Sequence, residues 1–224
     1  IEAAGERARA LVQQLLVFSR GGALKLAVVS VAAVAGEVLA LLAPSLPTSV
    51  TLGTDIDDDL PLLDVDRSHL HRLLVNLCLN ARDAMEGPGA VVISARLVCQ
   101  QAAAVCASCH GEFSGEFLRL SVSDQGRGIP EAIQDRIFEP FFTTREVGAG
   151  SGMGLAVVHG LTHLYEGHLQ VFSVPGQGSE MVILLPRSMW HVDPAAASGA
   201  GEHGMRRKSS NGVQCAFPTR KGRE

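Results

Sequence analysis

The sequence predicts an α/β fold, a two-layer sandwich in which a mixed sheet carries helices on one face. Three observations lead there. Residues 67–85 repeat leucine and alanine at helical spacing, and residues 91–97 and 117–122 read as strands. A glycine-dense stretch, Asp124 to Leu155, then runs into a second helix expected over 153–165. It holds Gly126 and Gly128 at one end and Gly148, Gly150, Gly152 and Gly154 at the other, with the aromatic knot FEPFF between them in a chain only 4% aromatic. Glycine is costly to order, so such density implies positive-φ turns or a backbone that touches a ligand. A flexible segment pinned by an apolar anchor predicts a lid over a site.

The bulk properties narrow the partners. At 224 residues and 46% hydrophobic, the chain can bury the core of one ordinary domain plus appendages. Its net charge is −4, and because residues 188–224 carry net +3, residues 1–187 stand at −7. That balance argues against nucleic acid as a partner, and any phosphate site must use backbone amides, a metal or a few local cations. Five cysteines form no secreted-style framework and no signal peptide is evident, so a reducing, cytoplasmic setting is expected.

In chain order, residues 1–20 read as an amphipathic helix with Ala8, Leu11, Leu15 and Phe18 at helical spacing, stopped by Gly21 and Gly22. Residues 24–43 are the most apolar run. Lys25, Ser30, Gly36 and Glu37 interrupt it and no basic cluster flanks it, so a buried helix ending at Pro44 is expected in preference to a membrane span. A short strand at 49–52 and an acidic turn at 55–59 follow, and Asp66 caps the 67–85 helix, which Gly87-Pro88-Gly89 ends. The segment between the 91–97 and 117–122 strands reads as a loop-like insert over 99–116. Strands at 168–173 and 180–185 flank the turn Pro175-Gly176-Gln177-Gly178. Beyond residue 187 the composition lacks periodicity, and a disordered tail over 188–224 is expected.

Three segments carry candidate chemistry. On the 67–85 helix, Asn76, Asn80 and Asp83 form a polar stripe beside the leucine face. Asparagine is a poor helix former, and its amide oxygen suits a hard cation such as Mg²⁺; a solvated helix face would look the same. Asp124 ends a strand before a Gly-x-Gly turn, where a carboxylate can accept from an exocyclic amine or merely cap a hairpin. GAGSGMGL enters a helix, where amides bind phosphate, but it lacks the Lys-Ser/Thr of a P-loop and follows no strand.

Taken together, N-x-x-x-N-A-x-D-A, D-x-G-x-G-I, F-E-P-F-F-T-T-R, G-x-G-x-G-x-G-L and G-x-G-S resemble, in order, the ATP-binding catalytic domain of histidine kinases, a member of the GHKL group with the Bergerat fold. The resemblance covers roughly residues 66–186, and QQLLVFSR in residues 1–22 resembles the second helix of the kinase dimerisation hairpin. NARDAM and FEPFFTTR look most like nitrogen-regulation-type and hybrid kinases. It implies a domain over 23–187 that binds ATP and Mg²⁺. Asn80 would hold the metal, with Asn76 and Asp83 supporting it. Asp124 would take the adenine amino group, and Gly126, Gly128 and Ile129 would shape that wall. Phe138, Phe141 and Phe142 would anchor the lid. Thr143, Thr144 and Arg145 would stand near the phosphates, Arg145 where the family usually has Lys. Gly148, Gly150, Ser151, Gly152, Met153, Gly154 and Leu155 would close over the triphosphate, and Ser179, after the last glycine pair, would belong to the nucleotide-binding set.

Hydrolysing relatives place a water-activating Glu where this chain has Asn76. An amide is a poor base, so the resemblance implies phosphotransfer to a histidine and then to a response-regulator receiver domain, in a homodimer joined through the hairpin. A non-kinase ATPase and a nucleotide-binding-only module remain the rivals. None of the eight histidines heads an H-[ED]-x-x-[NT]-P phosphoacceptor pattern, so the acceptor, and any membrane anchor, is expected outside this sequence. Ser179, Met181 and Arg72 depart from the usual family residues. Apart from the resemblance, Cys106-Ala-Ser-Cys109-His110 matches the haem c attachment pattern; with Cys99 it admits a small metal or redox site, or a cysteine-rich insert without either.

Overall fold

The computed structural model describes residues 25–145 and 151–191, together with the backbone of two short strands at Met205–Lys208 and Gln214–Phe217. The helix expected at 1–20 lies outside the described residues.

The 24–43 run divides rather than forming one helix. Ala27–Val29 is a strand, β1, and Val31–Leu42 is the helix α1, separated by Ser30 in extended conformation. Ser30 acts as N-cap, its Oγ accepting the Ala33 N–H at 3.3 Å. The capped start, not the hydropathy, sets the boundary. Buried Val31, Val34, Ala35, Val38 and Leu42 explain the apolar run as core, and Glu37 on the outer face pairs with Arg67. No helix among the described residues is long and apolar enough to cross a membrane.

Next come β2 (Val50–Ile56), β3 (Leu63–Val65) and α2 (Arg67–Ala84). The strand expected at 49–52 runs on through Asp55 and Ile56, so part of the predicted acidic turn is strand; pairing with Ser94 and Ala95 outweighs the low strand propensity of Asp. Asp66 caps α2 as expected, accepting the Ser68 N–H at 2.9 Å. The Ser68 hydroxyl, at 2.7 Å, heads the contacts that hold the Asp66 carboxyl below the usual aspartate range. Leu70, Leu73, Leu74, Leu77, Cys78 and Ala81 form the buried stripe of α2. At about 1.5–3 kcal/mol per buried leucine, this packing outweighs the poor helix propensity of the two asparagines beside it, a few tenths of a kcal/mol each.

β4 (Gly89–Val105) and β5 (Glu112–Asp124) correct the expected 99–116 loop: the insert is the continuation of one long antiparallel hairpin. Its register shifts between Gln100 and Ala104, where three β4 residues face one on β5. That irregularity hides the strand period in the sequence. A short helix α3 (Glu131–Gln134), then α4 (Gly154–Leu164), β6 (His168–Val174) and β7 (Gly178–Pro186) complete the domain.

The main sheet has the order β2-β4-β5-β7-β6, with β2 and β4 parallel and the other pairs antiparallel. Matched register places Ile93, Val122 and Met181 across one face, and Ala95, Leu120 and Ile183 beside them. All are buried against the helix layer of α1, α2 and α4. On the opposite face, Arg119 reaches Glu180 at 2.7 Å and Arg96 reaches Asp55 at 2.7 Å. One apolar and one charged face is the pattern of a two-layer sandwich.

The ordered fold runs past the boundary expected at residue 187. Trp190 is 5% exposed and bridges Leu63, and the His191 N–H donates to the Leu62 carbonyl at 2.7 Å. Further on, β8 (Met205–Lys208) and β9 (Gln214–Phe217) pair as a hairpin within the expected tail.

Candidate functional site

The site begins on α2, where the 3.6-residue period sets Asn76, Asn80 and Asp83 along one flank of the leucine stripe. Asn76 donates its Nδ2 back to the Arg72 carbonyl at 2.9 Å, which fixes the amide and turns Oδ1 outward. That oxygen faces the first residue of α4. A Cβ added to Gly154 would lie 3.3 Å from Asn76 Oδ1 and 3.5 and 3.7 Å from the two amide atoms of Asn80. The Asn80 Nδ2 is buried with no hydrogen-bond partner among the described residues. One turn on, Asp83 receives Arg145 Nη1 at 2.6 Å on one oxygen and Arg82 Nε at 2.7 Å on the other. The lid-side arginine is thereby tied to the asparagine helix.

A second cluster stands where β5 ends. Asp124 is 8% exposed; its Oδ1 accepts the Gly126 N–H at 2.8 Å and its Oδ2 the Ser179 hydroxyl at 2.5 Å. Gly126 passes against the end of α2, where an added Cβ would sit 2.4 Å from the Ala84 carbonyl oxygen. Chain-to-chain contact therefore demands this glycine, whatever ligand approaches the other side. The Arg127 N–H donates to the same carbonyl at 3.0 Å, joining the Asp124 cluster to the Asn76–Asn80 helix.

Between the clusters runs the aromatic segment. Phe138 is buried in the core, whereas Phe141 is exposed at φ 67°. Gly152, at φ +65°, accepts the Phe141 N–H at 3.0 Å, and an added Cβ there would lie 2.5 Å from the Phe141 carbonyl carbon. Thr143 Oγ1 accepts the Arg145 N–H at 3.2 Å, and Ser151 Oγ accepts the Met153 N–H at 3.3 Å. Thr144 is exposed, Met153 is buried and Leu155 packs on the core edge. Gly148 and Gly150 lie outside the described residues.

The structure thus gathers Asn76, Asn80 and Gly154 at one point, sets Asp83 and Arg145 beside it, and links Asp124, Gly126 and Ser179 through Ala84. Sequence reading missed Ser173. Its hydroxyl accepts the Ile129 N–H at 2.7 Å and donates to the Gly178 carbonyl at 3.1 Å, holding the turn that carries Gly128. A serine in an alternating strand carries no signal of that task. Also unforeseen is Tyr165, whose hydroxyl accepts the Asp66 N–H at 3.0 Å and meets His69 Nδ1 at 2.8 Å. The hydroxyl can accept the amide and still donate its own proton to Nδ1, an arrangement that suits the Nε2–H tautomer of His69. Burial, with the nearby Arg72 charge, pushes His69 below the ordinary histidine range, against the pull of Asp66.

The family described as histidine kinase-, DNA gyrase B-, and HSP90-like ATPase matches residues 65–189. The sensor kinase CckA of Brucella abortus (strain 2308) is 37% identical over 81% of this chain and 19% of its own length. The sensory histidine kinase/phosphatase NtrB of Salmonella typhimurium is 34% identical over 70% of the chain and 43% of its own length. A crystal structure of full-length ShkA in complex with AMPPNP superposes with a TM-score of 0.64 at 28% identity, covering 85% of this chain and 38% of that one. This chain spans less than half the length of each. The family match extends over more than half of the sequence and over every element of the site, so the chain belongs to the histidine kinase-, DNA gyrase B-, and HSP90-like ATPase family.

Proposed function

We propose that this chain is the ATP-binding catalytic region of a sensor histidine kinase. It holds Mg-ATP for transfer of the γ-phosphoryl group to a histidine of a dimerisation domain, from which a response-regulator aspartate takes it. The observation that carries the reading is the amide at position 76. Asn76 Oδ1 is aimed at the N-terminus of α4 by its own bond to Arg72, where a hydrolase needs a base, and an amide cannot take a proton from water. Relatives that are sensor kinases support the same choice.

Asp124 receives the adenine amino group, with Ser179 and the Gly126 amide fixing its carboxylate. Asn80 offers a hard oxygen to Mg²⁺, and its buried, unpartnered amide fits a polar ligand. When bound, the metal neutralises phosphate charge. Gly152 and Gly154 bring backbone amides and the α4 N-terminus toward the phosphates, and Arg145, held by Asp83, stands beside them as a local cation. Residues 1–22 are assigned to the dimerisation hairpin, in a homodimer on the cytoplasmic side.

Labelled ATP, with the label in the γ-phosphate, and a separately expressed dimerisation hairpin test the proposal. Acid-labile, base-stable label on the hairpin supports it. Steady phosphate release without transfer would make the chain a non-kinase ATPase, and nucleotide binding with neither a binding module. Asn80→Ala should abolish measurable Mg-ATP binding by calorimetry; retained tight binding removes Asn80 from the metal site.

A further inference from the structure

At the outer edge of the sheet, the tip of the β4–β5 hairpin meets the end of α4 and the start of β6. We propose that Cys106, Cys109 and His168, with His163 as fourth ligand, form a structural zinc site that fastens this hairpin to the helix layer. The ligand atoms of Cys106, Cys109 and His168 all lie within 4.8 Å of one another, and both thiols are free. His163 Nε2 is 3.9 Å from Cys106 Sγ. Zinc–sulfur and zinc–nitrogen bond lengths place tetrahedral ligand atoms about 3.3–3.8 Å apart, so a contraction of about 1 Å or less brings Cys106, Cys109 and His168 to bonding distance, and His163 joins them by turning its ring.

The backbone is shaped for that shell. The Cys106 N–H donates to the Gly111 carbonyl at 2.9 Å and the His110 N–H to the Cys106 carbonyl at 3.0 Å, with His110 at φ 58°. This tight knuckle brings the two sulfurs together. Cys106 Sγ accepts the Leu169 N–H at 3.3 Å and further amides from Ser108 and Cys109, donors that offset the charge of a metal-bound thiolate. The Ala107 N–H to Leu169 carbonyl bond, 2.8 Å, zips the tip onto β6 beside His168.

The histidines are held as ligands are. His168 stacks on Phe113 with centroids 4.4 Å apart, and its Nδ1 is buried with no hydrogen-bond partner among the described residues. Leaving such an atom unpaired is costly, so a ring kept in that place implies a partner. Each neutral imidazole has one ring nitrogen with a lone pair to give a metal. His163 Nε2 now shares a 2.9 Å bond with Ser108 Oγ, which that hydroxyl exchanges for solvent when the ring turns to the metal. Binding releases two thiol protons to water, and two thiolates balance the dication. Sulfur and imidazole donors select zinc over magnesium or calcium.

The test uses the whole chain, produced with zinc and purified under reducing conditions. We expect about one equivalent of zinc by mass spectrometry of the metal, thiols shielded until a chelator removes it, and a melting temperature that falls by several degrees on removal and returns with added ZnCl₂. Co²⁺ in its place should give a sulfur-to-cobalt charge-transfer band and tetrahedral d–d bands, a readout that needs no variant. Cys109 is exposed, so Cys109→Ser keeps the fold and should weaken zinc binding at least about tenfold. His163→Ala should do so as well. A zinc-free chain with two free thiols and no charge-transfer band overturns the proposal. So does a resident Cys106–Cys109 disulfide, or zinc retained unchanged by Cys109→Ser.

Discussion

Asp124 has both carboxylate oxygens engaged, one by the Gly126 amide and one by the Ser179 hydroxyl, at the end of β5. Ionised, it is an acceptor only, with lone pairs left over for an exocyclic amine. Asp124→Asn keeps the shape but gives one position to an NH₂ group, which faces either the Gly126 N–H or the nucleotide's own donor. A hydrogen bond to a charged group contributes about 1.5–3 kcal/mol, so ATP binding should weaken by about ten- to a hundredfold, with the fold intact. Calorimetry reads this directly, and an unchanged Kd would remove Asp124 from the adenine contact. Its position was legible in the sequence, at the end of an alternating strand before a Gly-x-Gly turn. Ser173 was not, since its two hydrogen bonds join turns 44 and 5 residues away.

Among the elements, α2 and α4 carry the candidate site, and two contacts set their placement. At one end of α2, the Asp66 amide and His69 meet Tyr165 just past α4. His69 has a folded pKa below its unfolded value of about 6.5, so the unfolded chain binds more protons as the pH falls. Stability from this group is full above that value and declines as the pH drops below it, by an amount that partial exposure reduces. Denaturant melts from pH 7.5 to 5 should show the decline, and His69→Gln should reduce its slope, the partly buried His159, His163 and His168 supplying the remainder; an identical slope would leave the His69–Tyr165 contact without a role. At the other end, Gly126 lies against Ala84. Gly126→Ala drives a methyl into a carbonyl oxygen at 2.4 Å and should cost about 1–3 kcal/mol, read as a lower melting temperature. The periodic stripe made α2 legible nearly to the residue. The β4–β5 hairpin was misread because its shift at Gln100/Ala104 and its run of small residues erase the alternation on which strand reading depends.

At the scale of the whole molecule, the domain closes on residues that the sequence left in a tail. Ser188 to His191 show no periodicity, yet Trp190 is 5% exposed, bridges Leu63, and lies under the Arg187 guanidinium at 5.7 Å. His191 adds a backbone bond to Leu62 and a contact to the Asp64 carboxylate at 3.0 Å. Together they cover the small β1–β3 sheet, whose two three-residue strands bury little by themselves. A single buried tryptophan at the end of an irregular stretch is invisible to any periodic test, because one anchor has no period. Trp→Ala at a buried site costs about 3–5 kcal/mol, and the edge position favours the lower figure. At about 2–4 °C per kcal/mol for a domain of this size, Trp190→Ala should lower the melting temperature by about 6–12 °C, while Trp190→Phe keeps most of it. ATP affinity should not change, because the asparagine and aspartate clusters stand on other elements. Circular dichroism melts with and without nucleotide separate the two effects. A Trp190→Ala chain that melts like the parent would return residues 188–191 to the tail.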